Sequence, residues 1–131
     1  MRKPRSIFPP QRGFTLIELL VVLAIIALML TLAAPRYLRS LDKAQETVLV
    51  ENLRQTREII DQFHRDTGQY PESLEDLVAR QYLRALPVDP VTESDRTWVL
   101  VAPGAGFRGK VYSLRSGAEG VAPSGRRFAD L

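Results

Sequence analysis

Residues Gly13–Pro35 read G-F-T-L-I-E-L-L-V-V-L-A-I-I-A-L-M-L-T-L-A-A-P. From Phe14 to Ala34 there are 21 residues with no glycine, no proline and one ionisable side chain, Glu18. As an α-helix rising ~1.5 Å per residue, this run spans about 31 Å, close to the hydrocarbon thickness of a bilayer. A carboxylate in such a run costs roughly 2.5–3.5 kcal/mol at the helix centre on insertion scales, and less near the interface. Glu18 lies near one end of the run, so it either snorkels to the interface or meets a partner.

Outward on the N-terminal side, residues 1–12 (M-R-K-P-R-S-I-F-P-P-Q-R) carry three prolines and four cations. Pro9-Pro10 opposes helix and the charges oppose entry into lipid, which predicts a short, disordered, cytoplasmic leader. Without Arg2, Lys3, Arg5 and Arg12 the chain holds 14 basic against 15 acidic side chains, so its basic character belongs to the leader. Nucleic-acid binding, which needs a basic face on the folded part, loses its main support. Positive charge ahead of an apolar run places the N-terminus in the cytoplasm and the C-terminal part across the membrane. A secretory signal peptide, cut near Thr31-Leu32-Ala33-Ala34, is the plain alternative, and a simple single-pass anchor is another. Against the first, the run exceeds the usual apolar core of a signal peptide, and Glu18 has no role in a discarded segment. A cut after Gly13 would instead remove the leader, keep the apolar run and leave Phe14 as a new N-terminus.

Arg12-Gly13-Phe14-Thr15-Leu16-Ile17-Glu18, followed by an apolar run and Pro35, resembles the N-terminal signal of type IV pilins and pseudopilins. Within that superfamily the chain is most similar to the major pseudopilins of type II secretion. The resemblance implies that a prepilin peptidase cleaves after Gly13 and N-methylates Phe14, and that Glu18 serves subunit assembly. Physically, cleavage would create an α-amino group with a reference pKa near 8 at the head of a helix surrounded by lipid. Glu18 of a neighbouring, staggered subunit can neutralise that amine, and because desolvation offsets much of the attraction, the pair sets register more than affinity.

Beyond Pro35, the expected kink, Leu38, Leu41, Ala44, Val48, Leu49, Leu53, Ile59, Ile60 and Phe63 recur at helical spacing among charged residues. The i,i+4 pairs Arg54/Glu58, Arg57/Asp61 and Asp61/Arg65 lend support. One long helix is predicted from about Phe14 to Arg65, kinked at Pro35, with Thr31 partly satisfying the carbonyl that the proline frees and Gly68 ending the helix. The expected organisation is a cleaved leader at 1–13, a membrane and filament-core helix at 14–35, its amphipathic half at 36–65, and a periplasmic α+β head at 66–131. Pro71 suits a first helical turn, with Leu74, Leu77, Val78 and Leu83 packing back on the long helix. Gly68-Gln69-Tyr70-Pro71 and Leu86-Pro87-Val88-Asp89-Pro90 also resemble segments of type II secretion major pseudopilins.

Thr97–Val101 and Lys110–Leu114 read as strands joined by a glycine-rich loop. The fold class is therefore α+β: a long N-terminal kinked α-helix packed on a small antiparallel β-sheet, as in type IV pilins. Trp98 and Tyr112 are either core or binding aromatics, with core favoured. The resemblance also implies an acidic calcium-binding loop near the C-terminus, but here only Glu119 and Asp130 remain, with Arg126-Arg127 between them. Calcium takes six to eight oxygens with negative charge among them, so no metal or other cofactor is expected.

The absence of cysteine removes disulfides and thiolate metal sites, and the single histidine, His64, argues against histidine-based catalysis. Asp89, Glu119 and Asp130 fall in turns, where solvated carboxylates are the rule, so the chain is not expected to be an enzyme. The resemblance implies a structural subunit that polymerises with itself and other pseudopilins into a short periplasmic filament on an inner-membrane assembly platform. The alternative is a minor type IV pilin of a surface, adhesion or DNA-uptake pilus, for which a basic outer face at Arg108, Lys110, Arg115, Arg126 and Arg127 would speak. The short chain and the missing cysteine pair favour secretion.

Overall fold

A computed structural model describes residues 9–10 and 12–131, so most of the leader expected at 1–13 lies outside the described residues. The order of elements is α1 (Leu16–Thr67), α2 (Leu74–Ala79), β1 (Val99–Val101), β2 (Ser113–Arg115) and a 3₁₀ turn at Phe128–Asp130. The chain divides into two compact units with the boundary between Tyr37 and Leu38, and α1 contributes to both.

In the first unit every residue from Arg12 to Tyr37 is exposed. Pro35 lies inside α1, which remains helical on both sides of it. The Thr31 hydroxyl donates to the carbonyl of Ala27 at 2.8 Å, the usual i−4 bond of a helical threonine. It does not serve its own carbonyl, as the sequence suggested, because a helical χ1 points the hydroxyl back toward the preceding turn.

The second unit carries the core. Leu49, Leu53, Ile60 and Phe63 form a fully buried stripe on α1, joined by Leu74, Leu77, Trp98, Val111, Leu114, Ala122 and Leu131. Spacings of four, seven and three keep these α1 side chains on one face. Leu38, Leu41, Ala44 and Val48, expected on that face, are exposed. The first three precede the stretch that the rest of the unit covers, and Val48 lies off the Leu49–Leu53 stripe. Among the expected ion pairs Arg54 meets Glu58 at 2.5 Å, and it also meets Glu51 at 2.7 Å. Neither Arg57/Asp61 nor Asp61/Arg65 pairs among the described residues. Arg57 turns instead toward main-chain oxygens of the head.

Gly68 closes α1 with φ +74° and a bond from its N–H to the carbonyl of His64 at 2.9 Å, the left-handed cap that glycine adopts without penalty. Helix α2 starts later than Pro71: Ser73 is its N-cap and accepts from the Asp76 N–H at 3.2 Å. Pro71 is buried before the helix, and its carbonyl receives the N–H groups of Lys110 and Val111 at 3.1 and 3.0 Å.

That capture explains why the second strand starts at Ser113 rather than Lys110. Strands β1 and β2 pair antiparallel with Val99 opposite Arg115, Leu100 opposite Leu114 and Val101 opposite Ser113. Likewise Trp98 stands outside β1, its ring buried and its indole N–H donating to the Pro87 carbonyl at 2.7 Å. Gly109, at φ +99°, lies so close to the Tyr70 carbonyl that a Cβ there would stand 2.0 Å from the oxygen. The α+β arrangement expected from the sequence is thus present, a long helix packed on a two-stranded antiparallel sheet.

Candidate functional site

The N-terminal end of α1 is built by a threonine. Thr15 precedes the helix, and its hydroxyl accepts the N–H of Glu18 at 3.1 Å while its carbonyl accepts the N–H of Leu19 at 3.2 Å. Thr-x-x-Glu is the order of residues in a capping box, in which the hydroxyl satisfies one of the unpaired N–H groups of the first turn. The pattern is readable in the sequence, but attention to Glu18 alone misses it. Glu18 is the acid of this first turn, where the helix dipole favours negative charge.

Gly13 and Phe14 stand outside the helix. Among the described residues nothing approaches within 4 Å of where a Gly13 side chain would be, and Phe14 is 89% exposed. The Gly13–Phe14 peptide bond is therefore accessible and free of helical hydrogen bonding. Behind it, every apolar side chain from Leu16 to Leu32 is exposed, a surface far beyond the few hundred Å² that soluble monomers tolerate. The segment is long and apolar enough to cross a membrane.

In the head, the three carboxylates of the turns part company. Asp89 is completely buried, contrary to its reading as a solvated acid. One of its oxygens accepts from Val91 N–H at 2.9 Å and Thr92 N–H at 3.3 Å, and the other from the Ser116 hydroxyl at 2.5 Å. Ser116 in turn accepts the Ala118 N–H at 3.0 Å, so the Pro87–Pro90 turn is tied to the start of the C-terminal loop. A carboxylate so enclosed is a structural keystone, since every bond it makes satisfies a neighbouring donor. Glu119 and Asp130 are exposed, and among the described residues no three or more His, Cys, Asp or Glu side chains converge as metal ligands.

What meets the carbonyls of this loop is cationic. One nitrogen of Arg57, Nη2, donates to the carbonyls of Leu114 and Leu131 at 2.9 and 2.8 Å. Burial, and then the nearby Arg115, pull the Arg57 guanidinium below its ordinary pKa. Arg126 donates to the Asp130 carbonyl at 2.5 Å. The donor set of the loop does not fit calcium, because Glu119 and Asp130 face solvent without converging and guanidiniums already occupy the main-chain oxygens of Leu114, Asp130 and Leu131.

Of the two aromatics, Trp98 is core, while Tyr112 is about half exposed, its ring edge-on to Tyr70 with centroids 5.4 Å apart. The Tyr112 N–H still donates to the Val101 carbonyl of β1 at 2.8 Å, but its ring stays outside the buried cluster that Trp98 and Leu114 join. His64 stacks on Tyr70 with ring centroids 4.2 Å apart, an aromatic packing role.

The prokaryotic N-terminal methylation motif matches residues 9–34. Over most of its length the chain is similar to proteins described as type II secretion system core protein G. That of Pseudomonas aeruginosa is 31% identical over 137 residues, covering 92% of this chain and 93% of the relative. That of Klebsiella pneumoniae is 31% identical, covering 87% and 89%. That of Escherichia coli K12 is 30% identical, covering 84% and 83%. No solved structure matches.

Proposed function

This chain belongs to the family of type II secretion system core protein G, and from that premise we propose how it works as a pseudopilin. A prepilin peptidase cuts after Gly13 and methylates the new amino group of Phe14. The subunit waits in the inner membrane as a single-pass protein, with its N-terminus in the cytoplasm and residues 66–131 in the periplasm. It then polymerises with its own copies and with other pseudopilins on an inner-membrane assembly platform, giving a short filament that helps export folded proteins. Its task is structural and needs neither catalysis nor a cofactor. Similarity to core protein G over most of the chain favours this reading over a minor type IV pilin.

The observation that carries the proposal is the exposed Gly13–Phe14 bond directly ahead of a capped helix whose first half is apolar and exposed all round. Lipid covers that surface before assembly and neighbouring helices cover it afterwards. Removal of the leader takes away the charges that hold the N-terminus at the cytoplasmic face and supplies an amine for Glu18 of the next subunit.

Mass spectrometry of protein taken from membranes tests the reading. The expected mature N-terminus is N-methylphenylalanine at Phe14; an N-terminus near Ala34 would show a discarded signal peptide instead. Co-expression of Glu18→Ala with wild type should leave processing intact and reduce cross-linking between subunits. Full cross-linking by that variant would remove the assembly role from Glu18.

A further inference from the structure

We infer that the guanidinium of Arg57 does for the C-terminal loop what a bound metal ion would do, so that the head closes this loop without calcium. The loop leaves β2 at Leu114–Arg115 and ends at Leu131, and its two ends present main-chain carbonyls toward α1. A divalent cation in such a place would hold the oxygens together by coordinating them. Here a single cationic nitrogen on α1 reaches both ends at once, 57 positions from Leu114 and 74 from Leu131 in sequence. Hydrogen bonds from a charged donor are about twice as strong as neutral ones, and a planar guanidinium holds its direction better than a flexible ammonium.

The rest of the loop is closed by its own groups. Ala122 donates to Arg126 at 2.8 Å and Phe128 to Gly120 at 3.3 Å, which fold the loop on itself. The Ser124 N–H donates to Glu46 on α1 at 3.1 Å, and the buried Ser116–Asp89 pair fixes the start. Ala122 and Leu131 add buried apolar area.

Three features turn a cation away from this arrangement. Arg57 and Arg126 already donate to the carbonyls of Leu114, Asp130 and Leu131, and a metal at those oxygens would stand against their positive charge. Arg115 stands near enough to Arg57 to oppose its charge further. Both oxygens of Asp89, the one buried carboxylate among the described residues, are committed to Val91, Thr92 and Ser116.

Thermal unfolding of the full chain in detergent tests this, followed by fluorescence of the single tryptophan, Trp98, which is buried in the head. Wild type is expected to unfold at the same midpoint in millimolar calcium chloride and in excess EDTA. Arg57→Gln should lower the midpoint by about 5 °C or more, and calcium should not restore it. Hydrogen exchange should then quicken in residues 116–131 while α2 stays protected. A wild-type midpoint that rises with calcium or falls with EDTA would overturn the inference, as would an Arg57→Gln protein that melts like wild type. Should Arg57→Gln fail to fold, Arg57→Lys decides. A folded Lys variant indifferent to EDTA supports a cationic tie, and one that folds only with calcium, or not at all, refutes it. None of these readouts depends on processing at Gly13, so they stand or fall apart from the filament proposal.

Discussion

Leu16–Leu32 and Leu49–Phe63 belong to one helix and are both rich in aliphatic side chains, yet they dispose of them in opposite ways. In the first stretch no residue is buried; in the second, Leu49, Leu53, Ile60 and Phe63 are shut away completely. The patterns differ accordingly. The first is apolar on every face, which no single-sided packing can use, and the second is a stripe with charged residues between its members. An all-round apolar helix looks outside its own chain for cover, and a striped one looks within it. The difference shows where the chain covers its own apolar surface and where that surface stays uncovered within the chain.

The comparison can be broken most directly by cutting it. Residues 66–131 without the striped half of α1 lose Leu49, Leu53, Ile60 and Phe63 from their core. For a small head without disulfides that loss should abolish folding. A cooperative thermal transition of the isolated fragment would show that the head does not need the helix.

Single truncations sharpen the contrast at a smaller scale. Leu53→Ala should cost the head about 2–5 kcal/mol, because it opens a cavity in a closed core. Leu23→Ala, 53% exposed in the wild-type side chain, should leave the unfolding midpoint of the head unchanged and affect only what the membrane half assembles with. Equal shifts for both variants would erase the distinction drawn between the two stretches.

The smallest effect concerns the polar edge of the striped half. Hydrogen bonds from Arg54, and then Gln55, hold the Glu51 carboxyl at about 2, down from 4.5. A folded-state value below the unfolded one means that the stabilisation is present above 4.5 and is lost as pH falls through 2. Because Arg54 and Glu51 are 56% and 46% exposed, solvent screens most of it. Glu51→Gln should therefore melt slightly below wild type at neutral pH, and the gap should close in acid. A gap that widens in acid would give the sign as wrong.

How much of this was readable from residues alone follows the same division. The apolar run stands out because a membrane helix answers to composition and length, with no internal partner to identify, whereas Gly13, Phe14 and Glu18 acquire roles only through the resemblance to the pilin N-terminal signal. Thr15 was equally readable as the cap of a Thr-x-x-Glu start. The head was not so open. Asp89 reads as a turn acid until Ser116, 27 residues later, closes over it. Arg57 reads as the i,i+4 partner of Asp61, since local spacing is all a sequence offers, and its true partners are carbonyls contributed by β2 and the last residue. The strand ends differ for the same reason: the Pro71 carbonyl takes the N–H groups of Lys110 and Val111, which the residue pattern assigns to the ladder. Main-chain acceptors carry no residue type, so nothing in the sequence announces them.

The Thr15 cap has a consequence for the two lives of this chain. A cut after Gly13, as proposed, removes neither the hydroxyl that accepts from Glu18 nor the carbonyl that accepts from Leu19. Starting a helix is its costliest step, since several residues must be fixed before the first bond forms. Here that step is completed by residues that the proposed cut would leave in place. On that proposal the precursor and the mature subunit would begin their helix at the same residue, and cleavage would change the chemistry of the terminus without asking the helix to form again.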